Sequence, residues 1–533
     1  MFSNLVEILI VTLMCCVGSV HCVHVLQMSR YQLPAYRQWM SKNRDRLLKE
    51  NVLLAFAAAL LSLYLPVFLS MFIKVENVRR AVSNWLALLL FSGAAGFIAW
   101  RDYNLPTKKP FVMTHRARRF TAVMAVLCLL AAAILRAVTI PSYFLFAAMP
   151  YMVLLTAVII NPYEAKVNAG FFKSAKQKIR SHPHLITIGI TGSFGKTNVK
   201  FMLRDMLSKK YRVLATPASF NTAMGISRVV NDDLTDEHEV FIAEMGATHV
   251  GDIKELVDLV RPKYGILTSI GNRHLDTFGS LENIASTKYE LIQGLPREGG
   301  CAVFGSGDDY VDRLYMMCKK DKRRVSLNPK EPADLYAEGI AYSESGTSFT
   351  MVCADGSRIP CHTPLLGRYN VKNILLAAAL AMKMEVPTEQ ITEAIAELKP
   401  IEHRLQLTVE DLNVIDDTLN EDPDGAFEAL RVLAQMPGQR IVVTPGMGDL
   451  GQQETDINYA LGTVMADSAD AVILVGSRNS QRGLRRGLLQ SGFSRSRLHA
   501  VEDMDDASDL LEEISENGDT VLFESHVPDD EEA

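Results

Sequence analysis

The chain has 533 residues and a formal net charge of −6. Its length allows three or more domains, and its acidic balance argues against general nucleic-acid binding. Its eight cysteines contain no C-x-x-C pair, so reduced thiols packed as small hydrophobes are expected and a zinc site is not.

Nearly all long apolar runs lie before residue 161. Five segments near bilayer length run at about 4–26, 51–73, 81–100, 120–137 and 141–160. The first has no basic leading region and other apolar segments follow it, so it reads as a retained span rather than a signal peptide. Glu7 and Arg136 fall near segment ends, where a charge can reach the interface. Residues 1–160 are therefore predicted to be a transmembrane region of about five helices.

Basic residues set the orientation. The connection 27–50 carries Arg30, Arg37, Lys42, Arg44, Arg46 and Lys49, and 101–119 carries Arg101, Lys108, Lys109, Arg116, Arg118 and Arg119. The connection 74–80 carries only Lys74, Arg79 and Arg80, and 138–140 carries none. Basic loops stay cytoplasmic. The pattern predicts a multi-pass membrane protein with its N-terminus outside and everything after the fifth segment in the cytoplasm.

Residues 161–184 read as a polar, basic helical connector. After it, "HLITIGITGS" (184–193) is a β-branched run entering a glycine turn, and "KTNVKFMLRDMLSKK" (196–210) is an amphipathic helix. Further strands are predicted at 211–216, 239–246, 264–270 and 300–306, alternating with helices or loops. That alternation predicts a mostly parallel sheet covered on both faces. A β-rich passage at 337–353 and a helix at 369–384 complete a domain over 185–399. Near Pro400 a second α/β set begins: strands in "LNVIDD", "QRIVVTPG", "AVILVG" and "TVLFES", with helices at 424–435, 454–467 and 480–491. It fills 400–527, before an acidic tail at 528–533. The expected fold class is N-terminal transmembrane α-helices followed by two α/β domains. The first is a phosphate-loop mononucleotide-binding domain and the second is Rossmann-like.

The strand–glycine loop–helix order around "GITGSFGKT" is the context a phosphate loop requires. Its backbone N–H groups and the helix N-terminus can face an anion. Lys196 would reach the outer phosphates and Thr197 would offer a hydroxyl to Mg²⁺. Glu244 ends an apolar strand, at the edge of a parallel sheet where ligands bind, and could hold Mg²⁺. "GNRHLDTFGS" brings His274 and Asp276 to the same edge. Lys288, in "STKYEL", would by itself be an ordinary helix lysine.

Several stretches together resemble the Mur ligase family, the ATP-dependent amide-forming enzymes of peptidoglycan precursor synthesis. They are "GITGSFGKT", "SFNTAMG", "FIAEMGA", "RHLDTFGSLENIASTKYEL", "LLGRYNVKNILLAAA", "EHRLQ" and "VIDDTLNEDPDGAFEAL". The family's loop has the form T-G-S-x-G-K-T, with no glycine at the Ile190 position. The run "DDTLNEDPDG" is similar to the branch that adds D-alanyl-D-alanine. The resemblance implies that Gly192, Ser193, Gly195, Lys196 and Thr197 cradle ATP phosphates. It places Asn221 near the γ-phosphate, makes Thr197, Glu244 and His274 ligands of Mg²⁺, and matches Lys288 to a lysine carbamylated in several members, which would join the metal site. Asn370 and Asn373 would lie near the adenine. Arg404 and Asp417 would contact the nucleotide between the domains, the aspartate on the ribose.

The implied catalytic set is Lys196, Glu244, His274 and Lys288, with ATP and Mg²⁺. The implied partners are a carboxylate-bearing cell-wall precursor, soluble or lipid-linked, an amino acid or dipeptide as amine donor, and the bacterial cell membrane. The resemblance covers about 185–527. Five apolar segments stand where the family's sugar-nucleotide-binding domain is expected, and Leu419 replaces a polar or aromatic residue. Two other readings are a polyglutamate-type capsule synthase and a membrane scaffold that binds ATP without ligating.

Overall fold

The isoleucine-rich segment β1 (Ile186–Thr191) lies inside a nine-stranded sheet. The structure is a computed structural model and describes residues 2–29, 31–105, 110–400, 402–419, 423–448, 454–476 and 481–524. Arg30, Lys108, Lys109, residues 420–422 of the "DDTLNEDPDG" run and the acidic tail 528–533 lie outside the described residues, as does the side chain of Asp276. Two compact units divide the chain at 170/171.

In the second unit, the remaining strands of the first sheet are β2 (Val213–Ala215), β3 (Val240–Glu244), β4 (Tyr264–Leu267), β5 (Cys301–Gly305), β6 (Lys322–Ser326), β7 (Leu335–Ser343), β8 (Gly346–Cys353) and β9 (Arg358–Thr363). Their order is β2-β3-β1-β4-β5-β6-β7-β8-β9. Pairing is parallel from β2 to β7 and antiparallel through β8 and β9. Strands β3, β4 and β5 are buried at every position, as expected for parallel strands covered on both faces. Helices Lys196–Ser208, Arg368–Lys383 and Thr388–Ala396 pack on one face, and the helices within 223–317 pack on the other.

A second, six-stranded sheet comes next in the chain. Its strands are β10 (Gln406–Val409), β11 (Asn413–Asp417), β12 (Arg440–Thr444), β13 (Ala471–Val475), β14 (Leu498–Val501) and β15 (Thr520–Glu524), in the order β10-β11-β15-β12-β13-β14. Only the β10–β11 pair is antiparallel. The two sheets meet at the buried Glu428. Its Oε1 accepts the Tyr342 hydroxyl at 3.0 Å and the Arg368 backbone N–H at 2.7 Å.

The first unit is helical. Among the described residues, four helices are long and apolar enough to cross a membrane: Leu5–Met28, Lys49–Leu69, Glu76–Tyr103 and His115–Ala137. The fifth apolar segment departs from the expected single span. It forms a four-residue helix, Phe144–Ala147, and then the start of the helix Met149–Arg180, which runs on through most of the expected connector. Polar contacts mark both ends of this stretch. At one end Ser142 Oγ donates to Glu7 Oε1 at 2.6 Å, and Arg136 lies 3.6 Å from the same carboxylate. At the other, Arg119 grips the buried Glu164 with two bonds of 2.7 and 2.8 Å.

Candidate functional site

The first parallel sheet places the chemistry at the C-terminal ends of its central strands. Register pairs Ile190 of β1 with Glu244 of β3, and Thr191 with Leu267 of β4. The loop after β1 is therefore flanked by the end of β3 on one side and the end of β4 on the other. Gly192 has φ +153°, and a Cβ there would lie 1.9 Å from Thr268 Oγ1. Gly195 has φ +77°, and its Cβ would lie 2.6 Å from Asn373 Oδ1. Both positions demand glycine, for conformation and for space.

Lys196 opens the helix and turns back over the loop, donating from Nζ to the carbonyls of Gly192 at 2.8 Å and Ser193 at 3.2 Å. Lys288, from the helix Leu281–Gly294, donates to the same Gly192 carbonyl at 3.0 Å and is 5% exposed. It is thus a buried part of the loop's wall, not a solvated helix lysine. Ser193 is buried and its hydroxyl exchanges hydrogen bonds with the backbone of Gly271.

Glu244 collects the neighbouring donors. Its Oε2 accepts the Thr197 hydroxyl at 2.9 Å and the Lys200 ammonium at 3.0 Å, and its Oε1 accepts the Asn221 amide at 3.0 Å. Glu244 is 1% exposed and Lys200 is fully buried. One carboxylate, one hydroxyl and an adjacent phosphate-binding loop fit Mg²⁺, which takes one or two carboxylates and completes its shell with phosphate oxygens and water. His274 sits exposed in a left-handed turn (φ 64°) after β4. It belongs to no group of three or more His, Cys, Asp or Glu able to hold a metal among the described residues.

The other predicted residues separate. Asn373 is buried against Gly195, at the phosphate loop rather than away from it, and its Nδ2 has no hydrogen-bond partner. Asn370 bonds Asn198 of the loop helix at 3.3 Å and the Leu366 carbonyl at 2.8 Å. Beside it opens a cleft of about 510 Å³, lined among others by Asn198, Phe201, Arg204, Tyr369, Asn370 and Arg404. Arg404 reaches it from the second sheet's side. Asp417 is buried, and its Oδ1 accepts the Leu405 N–H at 2.9 Å, holding the turn that carries Arg404.

Sequence reading missed Lys200. The available signal was its position: in the helix Lys196–Ser208 it falls among the buried Val199, Leu203 and Leu207. A lysine on an apolar helix face needs a buried partner.

The charge at this site is unbalanced. Burial lowers the Lys196 ammonium to about 8; the Glu244 carboxylate opposes that shift and Arg273 adds to it. Burial likewise lowers Lys288 to about 7, aided by the positive charges of Lys196 and Arg273. Lys200 is also lowered by burial, against the pull of Glu244. Three lysines thus stand at the glycine loop, and among the described residues only Lys200 of the three is ion-paired, with Glu244; such an arrangement calls for a polyanion.

Fold and site together define a nucleotide-binding α/β protein: a phosphate-loop domain joined to a smaller, mostly parallel α/β domain. Residues 190–381 match the Mur ligase middle domain, and residues 403–526 match the Mur ligase, glutamate ligase domain. The chain belongs to the Mur ligase family. It is 32% identical over 296 residues to the UDP-N-acetylmuramoyl-tripeptide--D-alanyl-D-alanine ligase of Escherichia coli (strain K12), covering 55% of this chain and 65% of that protein. Against the Bacillus subtilis (strain 168) enzyme of the same name it is 30% identical over 346 residues, covering 63% and 72%. The chain thus spans just under two thirds of the Escherichia coli relative. Among solved structures, MurF from Acinetobacter baumannii has a TM-score of 0.57 at 25% identity, covering 67% of this chain and 77% of that one. A Thermotoga maritima MurF ligase in complex with ADP has the same TM-score at 23% identity, covering 67% and 80%. That second likeness concerns the fold.

The lowered lysines predict a pH effect. Between about pH 7 and pH 10, an unfolded chain binds a proton at residue 288 that the folded chain does not, so this residue makes stability rise with pH. Lys196 acts in the same direction above about pH 8. Thermal unfolding of the wild type should therefore gain on a Lys288→Met variant as pH is raised from about 7 to about 9. A constant difference between the two would show that Lys288 titrates normally.

Proposed function

We propose that this protein is an ATP-dependent amide ligase of cell-wall precursor synthesis. The observation that carries the reading is a glycine loop walled by Lys196 and Lys288 beside the buried Glu244–Lys200 pair. In this reading the triphosphate lies along the loop, with Lys196 neutralising its charge. Thr197 and Glu244 would hold Mg²⁺, which when bound neutralises the phosphate oxygens further. The adenosine would occupy the cleft beside Asn370, with Arg404 closing over it from the second domain.

The acceptor's carboxylate oxygen attacks the γ-phosphorus, the bond to ADP breaks, and an acyl phosphate forms. The amine donor then attacks the acyl carbon, inorganic phosphate leaves, and the nitrogen loses a proton to complete the amide. Residues at the loop contribute by positioning and by charge stabilisation. Closure of the two domains would keep water from the acyl phosphate. The relatives' names support D-alanyl-D-alanine as the amine donor and a muramoyl tripeptide as the acceptor. The apolar helices support an acceptor met at the membrane, soluble or lipid-linked. They also support a polyglutamate-type capsule synthase as a second reading, but such loops carry arginine and serine where this chain has Ser193-Phe194 and Thr197.

Turnover with UDP-muramoyl-tripeptide and D-alanyl-D-alanine, read as phosphate release and product mass, tests the reaction. Lys196→Ala should lose on the order of 10²–10³ in rate. Near wild-type turnover in that variant would remove the phosphate-loop assignment.

We infer that Lys288 acts as a carbamate. With its ammonium lowered to about 7, a large share is the neutral amine that attacks CO₂. The new C–N bond costs the nitrogen a proton and leaves an anion beside the loop. Lys288→Ala should be inactive, unrescued by bicarbonate and partly rescued by short carboxylic acids. Full activity without additives would leave Lys288 a wall residue only.

The basic connections support an N-terminus outside and a ligase in the cytoplasm. A reporter active only outside the cytoplasm, fused to the N-terminus, should give signal. A silent reporter there, with a cytoplasmic reporter active at the same position, would refute the orientation.

A further inference from the structure

Lys200 has no part in the phosphate contact proposed for Lys196, yet it is fully buried one helical turn beyond Lys196. Its ammonium bonds two groups: Glu244 Oε2 at 3.0 Å and the carbonyl of Ala218. Ala218 is held in the left-handed region, with φ 41°, a costly conformation for alanine that needs support from its surroundings. The turn it belongs to delivers Asn221 to the other oxygen of Glu244 at 3.0 Å. A lysine and a glutamate paired in a core could serve stability alone. Here, however, the paired oxygen also accepts the Thr197 hydroxyl, at 2.9 Å.

We propose that Lys200 is a resident countercation for Glu244, which makes metal binding at this carboxylate depend on bound nucleotide. The inference rests on the reading of Glu244 as a metal ligand. Without nucleotide, a divalent cation seeking Glu244 meets a carboxylate already neutralised and an ammonium that burial prevents from swinging into solvent. Like charges repel strongly at such separations in a medium less polarisable than water. Phosphate oxygens supply the negative charge that reverses this balance. Lys200 keeps the Ala218 carbonyl as a partner throughout, so the turn carrying Asn221 stays in place. The carboxylate therefore stays aimed before substrate arrives, while free metal is refused.

The opposing effect is positional, since losing Lys200 frees the Glu244 side chain. That freedom spans few rotamers, because Thr197 and Asn221 still hold both oxygens. The electrostatic gain is the larger effect.

The test is direct Mn²⁺ binding to the full-length protein in detergent, followed by electron paramagnetic resonance, with and without ADP. Wild type should bind Mn²⁺ weakly alone and at least about tenfold more tightly with ADP. Lys200→Met and Lys200→Gln should bind Mn²⁺ at least about tenfold more tightly than wild type without ADP, so the gap made by ADP narrows. If folded variants, shown by one retained thermal transition and intact ADP binding, bind free Mn²⁺ no better than wild type, the proposal falls. If neither variant folds, wild type alone decides: nucleotide-free protein that binds Mn²⁺ as tightly as the ADP complex overturns it. Glu244→Gln separates the underlying reading. Unchanged Mn²⁺ binding in its ADP complex would remove Glu244 as a ligand, whatever Lys200 does.

Discussion

The second unit is organised around one buried charge. Glu244 is almost fully withdrawn from water at the end of β3, where an unpaired carboxylate could not remain ionised. Its oxygens are satisfied by side chains from two other segments: Thr197 and Lys200 from the helix after the phosphate loop, and Asn221 from the turn after β2. The carboxylate therefore fixes where these segments sit relative to β1. Deleting either Glu244 or Lys200 would strand the opposite charge in a dry interior, a change that costs on the order of 3–5 kcal/mol. The geometry of the loop and the stability of this sheet edge are the same problem.

That pairing leaves a remainder. Lys196 and Lys288 donate to backbone carbonyls of the loop, and both are held well below the ordinary lysine range by burial and by neighbouring positive charge. The fold thus maintains an unfavourable concentration of positive charge at the loop. Binding a polyphosphate there relieves repulsion that folding has already imposed, which concentrates affinity on the phosphates. The same lowered basicity gives Lys288 a reactive neutral amine near pH 7, a property that an exposed helix lysine does not have.

Much of this was legible in the sequence because the central strands are β-branched runs bounded by glycine. β1, β3, β4 and β5 read as strands, and the ends of β1 and β3 carry the glycine loop and Glu244. Four strands were not legible. Three of them are sheet edges: β9 contains Pro360, tolerated there because an edge needs fewer ladder bonds, while β10 and β14 are only four residues long. The fourth, β6, opens with Lys322, Arg323 and Arg324, and polar character hid it. Within the site, Thr197 and Glu244 could both be read as metal-site candidates from the loop motif and the strand end. The Lys200 pairing could not, because a helix lysine outside the motif shows its partner only once β3 is known to lie beside β1. The positions of Asn373 and Asp417 were also beyond reach, since each is set by packing: one against Gly195, the other beneath the Leu405 turn.

The first unit poses a parity question that helix length alone does not answer. Four full-length apolar helices would return the chain to its starting side, whereas a cytoplasmic ligase with an external N-terminus needs an odd number. The polar contacts trace how the chain runs after the fourth of them. Arg136 and Arg119 lie on one helix, 17 residues apart, or about 25 Å along its axis. Ser142 shares Glu7 with Arg136, while Glu164 is gripped by Arg119. Between 142 and 164 the chain must therefore travel back along the whole of that helix. The segment is broken into a short helix and the start of a long one, so no single stretch of it meets the length of a span. Its ends are nevertheless as far apart as those of a span. Charged groups at both ends and apolar residues between them, including the buried Val153 and Ala157, are the distribution a bilayer imposes. On this geometry the segment 142–164 runs the length of a span without adding, among the described residues, a fifth long apolar helix.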